Sequence, residues 1–80
     1  MKADLKAYTQ SLIEPLADYP QAVKISSVLG RQTVVLEIRC DSRDLGRLIG
    51  RSGRTIGAIQ ALVSCLAAGL KQRVVVEIVQ

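Results

Sequence analysis

Histidine, tryptophan and phenylalanine are all missing from this sequence. Without histidine, neither a zinc site nor a histidine-based catalytic dyad can be assembled. The two tyrosines, Tyr8 and Tyr19, both fall near the N-terminus, so no aromatic platform is available. That argues against a stacking sheet or an OB-fold. Cysteine is scarce as well: Cys40 and Cys65 are too few for a disulfide framework and lack metal-ligand spacing, and they read as small buried apolar residues. Carboxylates are not clustered, and no nucleophile has an activating neighbour. Asp41 and Asp44 are explained as helix-start residues, so catalysis is not expected and no cofactor is implied. The longest uncharged run, Thr55 to Leu70, is too short to span a membrane and contains Gln60 and Ser64. The start, Met1-Lys2-Ala3-Asp4, has no signal-peptide core. The expectation is a soluble cytoplasmic protein.

What the chain has in quantity is aliphatic surface. With 49% apolar residues over 80 positions, it carries too much buriable surface for disorder. Its length suits one domain, in which about 60–65% of the unfolded surface is buried. The charge is +4, and its distribution is uneven. Arg43, Arg47, Arg51 and Arg54 stand against Asp44 alone, so one short segment holds +3 and everything else +1. A basic cluster of this kind suits a polyanionic partner, although it also suits a solvated face.

Periodicity sets the elements. Leu5, Tyr8, Leu12, Ile13 and Leu16 recur at helical spacing and predict a helix over 3–18, kinked or restarted at Pro15 and ended by Tyr19-Pro20. Val23–Leu29 and Thr33–Cys40 read as strands joined by the turn Gly30-Arg31-Gln32. In the second strand, Val34, Leu36, Ile38 and Cys40 share one face. Asp41 or Ser42 caps a short helix that runs to Ile49, with Asp44 in its first turn and Gly50 as a left-handed stop. A longer helix spans Arg54–Leu70 with the stripe Ile56, Ile59, Val63, Leu66 and Leu70, and Leu62 alongside. Arg73–Val79 is a β-branched strand. The order α-β-β-α-α-β predicts an α+β, two-layer domain. Its mixed three-stranded sheet consists of an antiparallel hairpin plus a strand returning parallel to the second strand, with the helices on one face.

The chemistry concentrates between the last two helices, at Gly50-Arg51-Ser52-Gly53. Two glycines remove Cβ atoms and open unusual torsions, so a sugar-phosphate chain can lie on the loop. The following helix offers free N–H groups to phosphate. Arg51 and Arg54 add forked donors, Arg47 extends the basic rim, and Ser52 leaves the approach clear. Leu48 or Ile49, with Leu36 or Ile38, are candidates for an apolar floor under the bases. The competing reading is a tight corner whose arginines keep the surface soluble, in a module that binds protein and not nucleic acid. A second surface is notable. Ala58, Ala61, Cys65 and Ala68 lie together opposite the core stripe of the long helix, small and uncharged where charges would be usual. A second copy packed there, or coverage by one of the chain's own helices, accounts for it.

Ile49-Gly50-Arg51-Ser52-Gly53-Arg54-Thr55-Ile56-Gly57-Ala58-Ile59 fits the pattern I-G-x-x-G-x-x-I-x-x-I of the KH family of RNA-binding domains. The element order resembles the type II arrangement. The flanks Pro15–Pro20 and Arg73–Ile78 look like those of small bacterial members, and the likeness covers essentially the whole chain. It implies single-stranded RNA as ligand, contacted by Gly50, Arg51, Ser52 and Gly53. It also implies an RNA chaperone or post-transcriptional regulator tied to cell elongation and division. Homodimers, or pairing with a second KH-containing protein, are implied as well. Many members carry Lys at the position of Arg51 and a longer or charged residue at that of Gly57. Gly57 costs helix stability here.

Overall fold

The computed structural model describes residues 4–79, with helix α1 (Leu5–Ile13), strands β1 (Lys24–Leu29) and β2 (Thr33–Arg39), helices α2 (Leu45–Ile49) and α3 (Arg54–Gly69), and strand β3 (Arg73–Ile78). The Asp4 carboxylate accepts from the Ala7 amide at 3.1 Å and starts α1. The predicted start at Ala3 lies outside the described residues. The helix buries Leu5, Thr9 and Ile13, one turn apart, and the Thr9 hydroxyl donates to the Leu5 carbonyl at 2.7 Å. It stops at Ile13, short of the expected Asp18. Pro15 cannot continue the hydrogen-bond ladder, and Glu14–Leu16 tightens into a 3-10 turn before Ala17 becomes extended.

The sheet has the order β1-β2-β3, antiparallel then parallel, as the element order predicts. Val34, Leu36 and Ile38 of β2 point inward, joined by Ile25 of β1 and by Val74 and Val76 of β3. The alternation in β3 is hidden in the sequence, where Val74, Val75 and Val76 look alike. Val75 is paired with Val35 and Val35 with Val28 on the face that no helix covers. On the other face, α1 packs beside α3, and α2 packs against α3.

Asp41 caps the turn before α2, its carboxylate accepting from the Arg43 amide at 2.9 Å. That first turn, Ser42–Asp44, is a 3-10 turn, and the α-helix begins at Leu45. Helix α3 buries Ile59, Val63 and Ala67, with Ile56 and Leu66 partly covered. The predicted stripe ended at Leu70, yet Leu70 is 39% exposed and Ala67 is fully buried. The helix closes at Gly69 and the chain reverses through Lys71 at φ 58°, so Leu70 has left the helical face before it can reach the core. Cys40 is partly covered and Cys65 is exposed, against the expectation that both are buried.

One side chain secures the free edge of β3. Gln60 of α3 donates to the Val74 carbonyl at 2.8 Å and accepts from the Val76 amide at 2.6 Å. Its amide thus pairs with backbone groups that β2, on the other side of β3, cannot reach.

Candidate nucleic-acid interface

Helix α2 is a five-residue element, and it ends where the Gly50 amide donates to the Gly46 carbonyl at 2.9 Å. Gly50 has φ 77° and ψ 172°. This is an extended conformation at positive φ and not the left-handed helical stop expected, and it is essentially reserved for glycine. A Cβ here would also collide with the Thr55 side chain and lie 2.8 Å from the Thr55 amide nitrogen. Thr55 therefore sits in the space that the absent side chain leaves. Ser52 (φ 56°, ψ 27°) and Gly53 (φ 75°, ψ 16°) then both adopt the left-handed conformation, and the Gly53 amide returns to the Gly50 carbonyl at 3.1 Å. Two such residues in succession turn the chain back into α3. No side chain caps the N-terminus of α3, and its first amide, that of Arg54, donates to the Arg51 carbonyl within the turn.

The four arginines of the basic segment divide into two pairs. Arg43 is held by Asp41, with Nη2 2.8 Å from Oδ2, and its guanidinium lies 3.6 Å from the centroid of the Tyr19 ring. Arg43 raises no barrier to ionising Asp41. Its hydrogen bonds hold that carboxyl down at about 2, and the carboxylate in turn raises the arginine's pKa. Arg47 is bonded to Asp18, Nη1 to Oδ1 at 2.7 Å, and this partner raises its pKa as well. Arg51 and Arg54 are exposed and, among the described residues, take part in no ion pair. The uncompensated positive charge of the segment therefore stands at the loop itself.

Asp44 stands at the helix start as expected, and it has a second role there. It is completely buried, and its two oxygens accept from the Asp18 amide at 2.9 Å and the Tyr19 amide at 3.0 Å. A buried carboxylate needs such partners. It fastens the connection after α1 to the start of α2, which places Asp18 beside Arg47 and Tyr19 beside Arg43. Cys40 lies partly buried nearby, and that burial, reinforced by Asp44, pushes its thiol pKa up.

The expected apolar floor narrows. Leu48, Leu36 and Ile38 are each at most 1% exposed, committed to the core under the helices, and offer no side-chain surface to a base. Ile49, 36% exposed, is the member of that set on the surface. Ala58, Ala61, Cys65 and Ala68 are all exposed, so neither α1 nor α2 covers that face of α3. Leu62, 50% exposed, adds a large side chain to it. Beside them an apolar groove between α1 and α3 is lined by Leu12, Leu16, Ala58, Ile59 and Leu62, with Arg54 at the end nearest the loop. Sequence reasoning missed Asp18, Thr55 and Gln60, because nothing local marks residues whose partners are distant or backbone.

Comparison with known proteins bears on the fold and on the family. In three dimensions the chain is similar to Era in its crystal structure with MgGDPNP and nucleotides 1506–1542 of 16S ribosomal RNA, with TM-score 0.65 and 15% identity. That match covers 94% of this chain and 30% of Era, and at such identity it speaks for the fold alone. In sequence the chain is 35% identical to the RNA-binding protein KhpA of Clostridium acetobutylicum, covering 94% of this chain and all of that protein. It is 42% identical to the RNA-binding protein KhpA of Leifsonia xyli subsp. xyli, covering 79% and 83% of the two chains. The family described as KhpA/KhpB, KH domain, matches residues 6–78. A match of that extent, carried by relatives aligned over most of their own length, places the chain in the KhpA/KhpB family of KH-domain proteins.

Proposed function

We propose that this chain, acting as one KH module, binds single-stranded RNA through Gly50-Arg51-Ser52-Gly53. The observation that carries the reading is the pair of unpartnered arginines, Arg51 and Arg54, flanking a glycine-bounded turn that opens onto an uncapped helix N-terminus. Phosphates lie along the glycine-bounded turn and the two guanidinium groups. Arg47 stands next along the rim, and Ile49 supplies apolar surface for a base. With no aromatic platform, recognition is weak in sequence preference and dominated by phosphate contacts. The names of the relatives, RNA-binding proteins, support the ligand class.

A module of this kind serves as a cytoplasmic RNA chaperone or post-transcriptional regulator, in a pathway of cell elongation and division. It works as a pair of modules. The exposed face of α3, Ala58, Ala61, Cys65 and Ala68 with Leu62, receives the same face of a second copy or a KhpB-like KH protein. Small side chains there let two helices approach closely, and two linked loops raise RNA avidity.

The test is the double substitution Arg51→Asp with Ser52→Asp. Asp tolerates the left-handed torsion at position 52, so the fold survives. Fluorescence anisotropy with a short single-stranded RNA should show binding abolished. A folded double variant that binds like the parent rejects the site.

A further inference from the structure

We propose that Asp18 is a built-in competitor for RNA phosphate, withholding Arg47 from the loop and thereby setting how tightly the module binds. The inference rests on the RNA-binding reading above and adds a residue to it. Arg47 occupies the last turn of α2, which leads directly into Gly50. Its charge is well placed for a strand lying on the loop, yet its Nη1 is bonded to Asp18 at 2.7 Å.

Asp18 is not a passing surface neighbour. Its own amide is anchored to the fully buried Asp44 at 2.9 Å, and the next amide, that of Tyr19, is anchored to the other Asp44 oxygen at 3.0 Å. Asp44 stands at the start of α2. The same short helix thus supplies the arginine at one end and fixes the backbone of its carboxylate partner from the other. The fold therefore holds the Asp18 backbone within reach of the Arg47 side chain.

The pair is weak enough to matter for regulation of affinity. Its side chains are 56% and 61% exposed, and exposed ion pairs of this kind are easily exchanged. A phosphate must nevertheless displace a carboxylate to reach Arg47, whereas Arg51 and Arg54 are met free. The parent therefore reads the strand mainly with two arginines and keeps a third in reserve. Binding stays weak and reversible, as suits a module that samples many RNAs.

The experiment is a double-mutant cycle read by anisotropy with a short single-stranded RNA across a salt series. Asp18→Asn keeps the amide bond to Asp44 and removes the competing charge. It should tighten binding about two- to fivefold, the range an exposed ion pair accounts for, and steepen the slope of log K against log salt by about 0.7, one more phosphate contact. In an Arg47→Gln background the same substitution should change neither quantity. Glu77→Gln, which removes one charge from an exposed site on β3, controls for net charge and should leave the slope unaltered. If Asp18→Asn tightens binding equally with and without Arg47, or no more than Glu77→Gln does, the inference is wrong while the RNA-binding reading stands. A parent that binds no single-stranded RNA at low salt overturns both.

Discussion

Gly50 and Gly53 bound the same loop and share nearly the same φ, 77° and 75°, but they are glycine for different reasons. At Gly50 the backbone conformation and the packed Thr55 both exclude a side chain, whereas at Gly53 a Cβ would meet nothing within 4 Å. Gly50→Ala should therefore cost about 2–4 kcal/mol, combining torsional strain with overpacking. Gly53→Ala should cost only about 1–2 kcal/mol, from the left-handed torsion alone. Urea denaturation of the two variants checks the order. Gly57, exposed in α3 with no neighbour near its missing side chain, should behave oppositely. Gly57→Ala should stabilise by about 0.5–1 kcal/mol by restricting the unfolded chain. Asp41 offers a test by pH. Its folded pKa lies at about 2, below the ordinary 3.8, chiefly because Arg43 donates to it. A depressed carboxyl contributes its stabilisation above pH 3.8 and loses it as pH falls toward 2. An NMR titration of Asp41 should find a midpoint near 2 in the parent, and Arg43→Gln should return it toward 3.8.

Elements this short depend on single side chains for their boundaries and edges. Strand β3 is an edge strand of three consecutive valines, the type of sequence that pairs readily with another chain. Gln60 occupies its outward backbone groups from above. Gln60→Ala should leave the Val74 carbonyl and Val76 amide without partners and cost about 1–3 kcal/mol. Hydrogen exchange at the Val76 amide should accelerate more than at amides in β2, which are paired on both sides. Equal acceleration throughout the sheet would point to general destabilisation and not to loss of the edge lock. Gln60 stands out as polar in the run from Thr55 to Leu70, but nothing local names its partners. Its use is visible only once α3 lies across β3. The turn into α2 and the end of α2, by contrast, were readable from Asp41 and Gly50, because caps act within a few residues.

At the level of the whole molecule, an apolar strip of α3 faces outward between α1 and the loop. The groove it shares with Leu12 and Leu16 has Arg54 among its lining residues. Sedimentation at micromolar concentration should show a dimer. Ala61→Arg or Cys65→Arg should give a folded monomer with weaker RNA avidity, since a long charged side chain cannot be accommodated where two helices meet. A parent that sediments as a monomer removes this part of the reading. Among the described residues, no helix is long and apolar enough to cross a membrane.

Local rules carried the sequence a long way: the strands, their pairing and mixed sense, the corner at Gly50–Gly53, and the uncharged face of α3. Each depends on periodicity or on turn chemistry that acts over a few residues, and both are written in the order of side chains. Tertiary structure decided the rest. Asp18 meets Arg47 across 29 positions, and Asp44 reaches the Asp18 amide across 26. Ala67, and not Leu70, completes the buried stripe, because the chain leaves the helix before Leu70 can turn inward. The same holds for the charge cluster. Four arginines at near-helical spacing look equivalent in sequence; Arg43 is taken by neighbouring Asp41 and Arg47 by distant Asp18, which leaves Arg51 and Arg54 free. Pairing between distant charges depends on where the backbone brings them, and no short-range pattern encodes that.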